Sequence, residues 1–320
     1  MITKEQDEKR EMTKIADIAY VTYKHPNLRE CEQFLNDFGM ITSFKSENSL
    51  YLRGRGKSHH IYVVNLAETP GFVGFALEAI SEKVLQELAE LSEASTIEEM
   101  KTPGGGQRVI ITDPNGFNIE VVYGIEEVEP LPMPEPMLWN NGNVKTRFGS
   151  TQRPKKEPSP ILRLGHIGID VKDFETSYEW YQKTFGLKAS DLIYYGHPSL
   201  TVGGFLRCQK GSEWVDHHTI AMLQGSEAKV HHTAFEVQDF DAVSIGHHWL
   251  LEKGWTPVWG VGRHLLGSQV FDYWKDPFGS LIEHFTDGDV FNESTETSVH
   301  AGGLDILYQW GSAIPESFLG

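Results

Sequence analysis

Three side chains in the second half of the sequence, His166, His232 and Glu283, could together bind one divalent metal ion. Each occupies a short stretch with the composition of a β-strand, so a sheet could hold all three in place. Two imidazoles and one carboxylate form the 2-His-1-carboxylate triad, which leaves coordination positions open for other ligands. The set predicts a mononuclear site for non-haem Fe(II), with Mn(II) as an alternative.

The alternation of side chains along two predicted strands supports this set. In the strand 164–171, His166 lies on the face opposite the apolar residues, which are expected to pack against a helix. In the strand 230–237, the same alternation favours His232, whereas its neighbour His231 is the competing candidate. Both imidazoles are therefore predicted to face away from the helix layer.

Glu283 lies in a predicted β-hairpin near the end of the chain. Its strands are 270–275 and 280–285, and residues 276–279 form the turn between them. Residues 262–264 are predicted to be a loop that precedes the hairpin. Because a buried carboxylate without a partner is costly, Glu283 needs a cation, a metal or a proton.

The elements that position these residues follow a repeated βαβββ order. The predicted helices span 27–38, about 81–92, 174–185 and about 239–253, and the strands that precede them span 15–23, 71–78, 164–171 and 230–237. The remaining strands of the first half are predicted within 43–64, at 108–111 and at 116–123. In the second half, strands are predicted between the helix 174–185 and Gly204, at 205–208 and at 217–223. His247 and His248, in the last helix, are predicted to lie on the surface.

The two halves of the chain also match in sequence, which indicates an internal duplication. The matching segments are 51–53 with 205–207, 58–60 with 216–218, 75–78 with 233–236, and 113–120 with 276–283.

The two copies differ where the metal site is predicted. His166 corresponds to Tyr20 and His232 to Gly74, whereas the glutamate is kept as Glu120. Only the second copy therefore has the complete ligand set.

The predicted fold class is α+β, with two domains that each contain two βαβββ modules in a U-shaped or open barrel-like mixed sheet. Residues 1–124 form the metal-free domain and 161–290 the catalytic, metal-binding domain. The Pro-rich segment 125–160 is a linker or an arm. The apolar tail 291–320 is expected to dock on the domain or at a subunit contact, which favours a homo-oligomer.

Composition excludes several classes of function. The 28 basic and 45 acidic residues give a net charge of −17, which makes a nucleic acid an unlikely ligand. The charged N-terminus is not a signal sequence, and no stretch has the length and apolarity of a membrane span, so a cytoplasmic protein is expected. The two cysteines, Cys31 and Cys208, suggest no disulfide framework.

These residues together resemble the type I extradiol ring-cleavage dioxygenases of the vicinal oxygen chelate superfamily, the catechol 2,3-dioxygenase and dihydroxybiphenyl dioxygenase group. The likeness covers nearly the whole chain. The ligand positions of the family fall on His166, His232 and Glu283. Its Gly-Arg-His loop ends at His264, and its tyrosine falls on Tyr273.

The resemblance implies a glyoxalase-like fold, an Fe(II) cofactor and a role in the catabolism of aromatic compounds. A catechol and dioxygen would be the substrates, and a ring-opened semialdehyde or keto acid the product. The family's acid-base histidine falls on His218, and imidazole chemistry suits that role. Tyr273 and His264 would hydrogen-bond the bound diolate.

Several alternatives remain open. His218 could be a structural strand histidine beside an exposed His217, because the pair His59 and His60 is present in the metal-free copy. Tyr273 could serve hairpin packing alone. At the level of function, the alternatives are a glyoxalase-like lyase or isomerase, and a non-catalytic ligand-binding protein on the same fold.

Overall fold

The computed structural model describes residues 14–319. Residues 1–13 and Gly320, which the sequence analysis assigns to the first domain and to the tail, lie outside the described residues. The described chain folds into two large mixed sheets that are joined by an extended segment.

The first half of the described chain contains eight strands and two helices. They are β1 (Ile15–His25), α1 (Leu28–Phe38), β2 (Ile41–Lys45), β3 (Ser49–Arg53), β4 (Tyr62–Leu66), β5 (Gly71–Ala79), α2 (Glu82–Ala89), β6 (Glu98–Glu99), β7 (Gln107–Thr112) and β8 (Asn118–Tyr123).

The second half repeats this order and adds short elements. They are β9 (Ile161–Val171), α3 (Phe174–Phe185), β10 (Lys188–Tyr194), β11 (Thr201–Arg207), β12 (Val215–Asp216), β13 (Ile220–Gln224), β14 (Lys229–Val237), α4 (Phe240–Lys253), β15 (Thr256–Arg263), β16 (Val270–Lys275), β17 (Leu281–Thr286), β18 (Val290–Phe291), β19 (Ser298–Ala301), a 3-10 turn (Leu304–Ile306) and α5 (Glu316–Leu319).

The two sheets have the same strand order, as the predicted duplication requires. The first runs β2-β3-β4-β1-β5-β8-β7-β6, and the second runs β10-β11-β13-β9-β14-β17-β16-β15, with β19 added beside β10. In each sheet the first strands of the two modules pair antiparallel at the centre, β1 with β5 and β9 with β14. The predicted α+β class with two domains is confirmed, whereas the domain boundaries at 124, 160 and 290 stay a prediction.

Some details of the predicted strands are wrong. Residues 217–219, predicted as strand, lie outside it, because β13 begins at Ile220. Residues Gly262 and Arg263, predicted as a loop, end strand β15 and pair with β16. The predicted break after Gly204 is absent, because β11 runs continuously across it. A Cβ atom at Gly204 would lie 3.0 Å from the Phe174 ring, so this glycine permits a close approach of strand and helix rather than a turn.

The helices begin where short polar side chains accept a backbone hydrogen bond. Asn27, Ser81, Asp173 and Asp239 each precede a helix, and each side chain accepts from the N–H three residues further on. The buried faces of the helices then cover one side of each sheet. The opposite side of the second sheet is left free to form a cavity.

The two halves share a continuous apolar core that includes residues from both sheets. Polar contacts add to it at the helix ends. His284 on β17 donates from Nε2 to the Phe38 carbonyl oxygen of α1 at 2.6 Å, and the Trp255 indole donates to Asp37 at 3.0 Å. The catalytic-copy strand β17 is therefore tied to the first half of the chain.

Residues 124–160 contain no helix or strand; their first part lies along the first half, and their later part contacts the second half through Trp139 and Ser159. Backbone hydrogen bonds join Val128 to Lys57 and Leu131 to Arg55, each at 2.8 Å. Among residues 14–319, no helix is long and apolar enough to cross a membrane.

Candidate metal centre

His166, His232 and Glu283 lie on three adjacent strands at the centre of the second sheet. Strand β14 pairs antiparallel with β9 and parallel with β17, and Ala234 lies opposite both His166 and Glu283. This register brings side chains that are 66 and 51 positions apart in sequence onto one face. Pairing between strands, rather than a local motif, thus assembles the cluster.

The three possible ligand atoms form a nearly equilateral triangle. The two Nε2 atoms of His166 and His232 are 3.2 Å apart, and each is 3.4 Å from Oε2 of Glu283. Ligand atoms at about 2.0–2.2 Å from one ion and at right angles to one another are about 3 Å apart. The observed triangle fits one face of an octahedral metal site.

Because Glu283 is buried, its carboxylate needs a nearby cation to stay ionised. The side chain is fully buried, and neither carboxylate oxygen has a hydrogen-bond partner among the described residues. Desolvation raises the pKa of Glu283 to about 7 in the absence of a metal and lowers the pKa of His166 to about 3. Neutral imidazoles offer lone pairs, and a divalent ion would stabilise the ionised carboxylate.

A hydrogen-bond chain gives His232 the tautomer that a metal ligand needs. Nε2 of His231 lies 2.8 Å from the Phe318 carbonyl oxygen, so this nitrogen donates. Nδ1 of His231 then accepts from Nδ1 of His232 at 2.8 Å, which leaves Nε2 of His232 unprotonated. The competing candidate His231 thus supports the neighbouring imidazole and does not belong to the cluster. In contrast, the buried Nδ1 of His166 has no partner among the described residues.

Gly168 gives the imidazole of His232 the space that it needs. It lies opposite His232 in the β9–β14 pair, and a Cβ atom there would lie 2.5 Å from Nδ1 of His232. Any larger residue at this position would displace the ring from the cluster. The sequence analysis did not single out this glycine.

A cavity of about 340 Å³ opens beside the cluster. His218, His264 and Tyr273, the other predicted site residues, line it together with His166 and His232. The structure therefore brings all three predicted catalytic residues to the same cavity as the two predicted histidine ligands.

His264 and Tyr273 form a directed pair. Nδ1 of His264 is 2.6 Å from the Leu307 carbonyl oxygen and donates to it, so Nε2 accepts the Tyr273 hydroxyl proton at 2.9 Å. Burial raises the pKa of Tyr273 well above its usual value, because the phenolate would be desolvated and would face Glu283. Tyr273 is thus a neutral hydrogen-bond donor beside the cluster.

His218 packs against the cluster, and its neighbour is not exposed as predicted. The rings of His218 and His166 are 4.1 Å apart between centroids. His217 is 1% exposed, because Nε2 binds the buried Asp191 carboxylate at 2.6 Å. The expectation of an exposed His217 is wrong, since the strand pairs β10–β11 and β11–β13 enclose it.

The first sheet shows how the same glutamate is accommodated without a metal. Glu120 lies opposite Ala76, as Glu283 lies opposite Ala234. Its Oε2 accepts from the Tyr20 hydroxyl at 2.8 Å and from Arg108 at 3.0 Å. An arginine and a phenol therefore occupy the role that the predicted metal has in the second sheet.

Sequence reasoning missed residues that support the site from outside. Asp191 was not considered, and the carbonyl groups of Leu307 and Phe318 in the tail carry no sequence signal. His247, predicted at the surface, is half-buried and binds the buried Asp272 carboxylate through Nδ1 at 2.8 Å. Two doublets of adjacent histidines, His217–His218 and His231–His232, were the available signal, because in each of them one imidazole contacts and orients the other.

Comparisons with known proteins agree with the fold. Residues 163–284 match the family model of the Glyoxalase/Bleomycin resistance protein/Dioxygenase superfamily. Metapyrocatechase 2 of Cupriavidus necator is 26% identical over 309 residues, which cover 95% of this chain and 92% of that protein.

Two solved structures show the same fold with a TM-score of 0.79. The Mn(II)-bound glyoxalase from Novosphingobium aromaticivorans is 22% identical, with 95% of this chain and 94% of that chain covered. Homoprotocatechuate 2,3-dioxygenase from Brevibacterium fuscum, in an anaerobic complex with 3,4-dihydroxyphenylacetate, is 19% identical, with 96% and 92% covered.

The fold is built from paired βαβββ modules. Residues 163–284, in the second half of the chain, are similar to the Glyoxalase/Bleomycin resistance protein/Dioxygenase superfamily.

Proposed function

We propose that this protein is an extradiol dioxygenase that cleaves the ring of a catechol beside its two hydroxyl groups with both atoms of dioxygen. The observation that carries this proposal is the buried triangle of His166, His232 and Glu283, whose two imidazoles line one cavity with His218, His264 and Tyr273. The similarity to Metapyrocatechase 2 over nearly the full length of both chains supports it.

His166, His232 and Glu283 would hold the metal ion, which we propose to be Fe(II), with Mn(II) as the alternative. The ion supplies positions where a diol and dioxygen can bind together and exchange electrons. The buried carboxylate gives the site one negative charge, and the two imidazoles stay neutral because of their burial. The cluster thus favours a divalent ion over a monovalent one.

His264 and Tyr273 would bind and orient the diol. In their mutual hydrogen bond the Tyr273 hydroxyl is the donor and His264 the acceptor. Because Tyr273 lines the cavity, its hydroxyl could donate to a substrate oxygen instead. His218 packs against His166, lines the same cavity and could accept or deliver a proton through Nε2. The three side chains therefore surround the open side of the cluster.

The walls of the cavity indicate an uncharged substrate. Ile193, Phe205, Leu307 and Phe318 contribute apolar surface, and the only Lys or Arg among the described lining residues is Lys229. Its ammonium lies 4.0 Å from the Asp170 carboxylate, so it is already paired. A carboxylate on the substrate would lose water without gaining a cation, which is costly.

We therefore expect catechols with small alkyl or aryl substituents to be preferred over catechols with a carboxylate substituent. The value of kcat/KM for 3-methylcatechol should exceed that for 3,4-dihydroxyphenylacetate by at least about tenfold. Steady-state oxygen uptake with both substrates measures this difference. Equal values, or a preference for the carboxylate, would contradict the assignment of an uncharged substrate.

A metal-dependent glyoxalase is the second candidate, because one solved structure with the same fold is a Mn(II)-bound glyoxalase. That reaction consumes no oxygen. Loading the protein anaerobically with Fe(II) or Mn(II), and then adding a catechol panel or a hemithioacetal, separates the two functions. Oxygen uptake with a yellow ring-fission product supports the dioxygenase, whereas oxygen-independent turnover of the hemithioacetal alone would overturn it.

We also propose that the protein forms a homo-oligomer. Trp139 and Phe148 of the 124–160 segment and Trp310 of the tail are exposed aromatic residues that a second copy could cover. Light scattering coupled to size-exclusion chromatography tests this, and a mass of 36.1 kDa at all concentrations would contradict it.

A further inference from the structure

Asp191 on β10 is a buried carboxylate outside the metal cluster that contacts two imidazoles. Its side chain is 8% exposed, and Oδ2 is 2.6 Å from Nε2 of His217. Oδ1 is 2.9 Å from Nε2 of His300, which lies on β19 and pairs with β10. Because an ionised carboxylate can only accept, both imidazole nitrogens must donate to it.

The direction of this hydrogen bond fixes the proton on His218. A neutral His217 that donates from Nε2 has a lone pair on Nδ1. That lone pair lies 3.0 Å from Nδ1 of His218, which must therefore carry the proton. Nε2 of His218 is then unprotonated, and no hydrogen bond from it to another described residue is found.

The metal-free copy provides an internal comparison. Tyr62 and Ile220 take the same place in the β1–β4 and β9–β13 pairs. His60 and His218 each lie two residues before them, so His59 and His60 are equivalent to His217 and His218. The residue equivalent to Asp191 is Phe44. Asp191 pairs with Phe205 and Phe44 pairs with Tyr51, each directly after a β-bulge, and these two partners begin the matching segments 205–207 and 51–53. The carboxylate is therefore present only where the metal cluster is present.

The second doublet of the catalytic copy works in the same direction. His231 donates to the Phe318 carbonyl oxygen and accepts from His232. In both doublets an outside acceptor fixes the first histidine, which in turn fixes the second. Among the described residues, His59 has no such acceptor. Its Nδ1 lies 3.2 Å from Nδ1 of His60.

We propose that Asp191 and His217 are positioning residues that hold His218 in the Nδ1–H tautomer, with the Nε2 lone pair available to accept a proton from a cavity ligand. This inference rests on the proposed function in one respect, namely that His218 exchanges a proton with the substrate. The tautomer itself does not depend on turnover.

Nitrogen NMR of the metal-free protein tests the tautomer directly. The protein labelled with ¹⁵N at histidine contains 14 such residues, and the His218 signals can be assigned from their loss in His218→Gln. We expect Nδ1 of His218 to show the shift of a protonated nitrogen and Nε2 that of an unprotonated one at pH 7.5. A protonated Nε2 in the wild-type protein would overturn the proposal without any variant.

Two substitutions at Asp191 extend the test. Asp191→Leu keeps the branching at Cγ but removes the acceptor, so the His218 tautomers should become mixed. Asp191→Asn keeps an oxygen that can accept from His217 and should restore the wild-type pattern. His300→Gln removes the other partner of Asp191 and should leave the tautomer of His218 unchanged.

The kinetic result should follow the tautomer. At equal metal content, Asp191→Leu should lower kcat for a catechol about tenfold with KM within about threefold, and Asp191→Asn should recover most of the loss. Unchanged kcat in Asp191→Leu, or an equal loss in Asp191→Asn, would contradict the positioning role. If the wild-type protein turns over no catechol, the proposed function fails, while the NMR result still decides the tautomer.

Discussion

Glu283 and Glu120 occupy equivalent positions in the two sheets, and their neighbours decide what each carboxylate can do. Glu120 accepts from Arg108 and Tyr20, so its charge is balanced within the chain. Glu283 has two imidazoles at 3.4 Å, and among residues 14–319 no Lys or Arg forms an ion pair with it. The different neighbours of these two equivalent glutamates explain why one sheet could bind a metal and the other could not.

At the scale of single residues, much of the site could be predicted from the sequence. Strand alternation selected His232 over His231, and the structure places His232 in the cluster. The Asp191 carboxylate could not be predicted, because its contact with His217 arises from pairing across β10, β11 and β13. Neither residue carries a local motif.

His218 is expected to be the side chain that moves protons. His218→Gln should lower kcat for a catechol by about 10²-fold or more at full metal occupancy, because general acid-base catalysis contributes roughly 10²–10⁴-fold. Oxygen uptake, together with metal analysis of each preparation, measures the effect.

The matched control is His60→Gln, at the equivalent position of the metal-free sheet. Its kcat should stay within about twofold of wild type. If His218→Gln retained wild-type kcat, His218 would have only a structural role.

At the scale of elements, the C-terminal tail completes the site. Leu307 fixes the tautomer of His264, and Phe318 packs against Trp259 and Tyr273 with ring centroids 4.7 Å from each. The tail also pairs with the end of β15 through Arg263 and Trp310. This long-range pairing explains why Gly262 and Arg263 form a strand, although their local sequence predicted a loop.

Phe318 is expected to contribute to substrate binding. Phe318→Ala removes a buried ring that lines the cavity, so KM for a catechol should rise roughly tenfold, which corresponds to about 1.4 kcal/mol. Steady-state kinetics with metal-loaded protein measure KM and kcat separately.

Leu304→Ala serves as a control, because Leu304 belongs to the same tail but is 61% exposed and does not line the cavity. It should leave KM unchanged. An unchanged KM in Phe318→Ala would show that the tail does not form part of the binding site.

At the scale of the whole molecule, the duplication was predictable and the joining of the copies was not. Matching segments in sequence indicated equal strand orders, and the two sheets have them. The shared core and the contact of His284 with Phe38 depend on how the copies pack, for which the sequence offers no periodic signal. The segment 124–160 carries only Pro-rich composition, so its path along β3 could not be predicted.

Buried histidines should make the fold sensitive to acid. Burial lowers the pKa of His60 to about 3, from 6.5 in an unfolded chain. Between these pH values the unfolded state binds a proton that the folded state does not bind. The contribution of His60 to the free energy of unfolding is therefore fully present above pH 6.5 and is lost as the pH falls toward 3. At pH 5 the loss from one such group is about 2 kcal/mol.

His60→Phe should remove this contribution while keeping the ring contacts with Tyr20 and Tyr51. Urea unfolding at pH 7.5 and at pH 5 measures the difference in free energy of unfolding for each protein. The difference should be about 2 kcal/mol smaller in the variant than in wild type. An identical pH dependence in both would show that His60 titrates normally in the folded state.

The most direct test of the metal-dependent dioxygenase is a comparison of Glu283→Gln with Glu120→Gln. Each protein is loaded anaerobically with Fe(II), desalted, analysed for metal and then given a catechol in an oxygen electrode. Wild type and Glu120→Gln should retain about one ion per chain and consume about one O₂ per catechol without releasing hydrogen peroxide. Glu283→Gln should retain less than about a tenth of an ion and consume no oxygen. Full metal retention and turnover in Glu283→Gln would contradict the assignment of the metal centre.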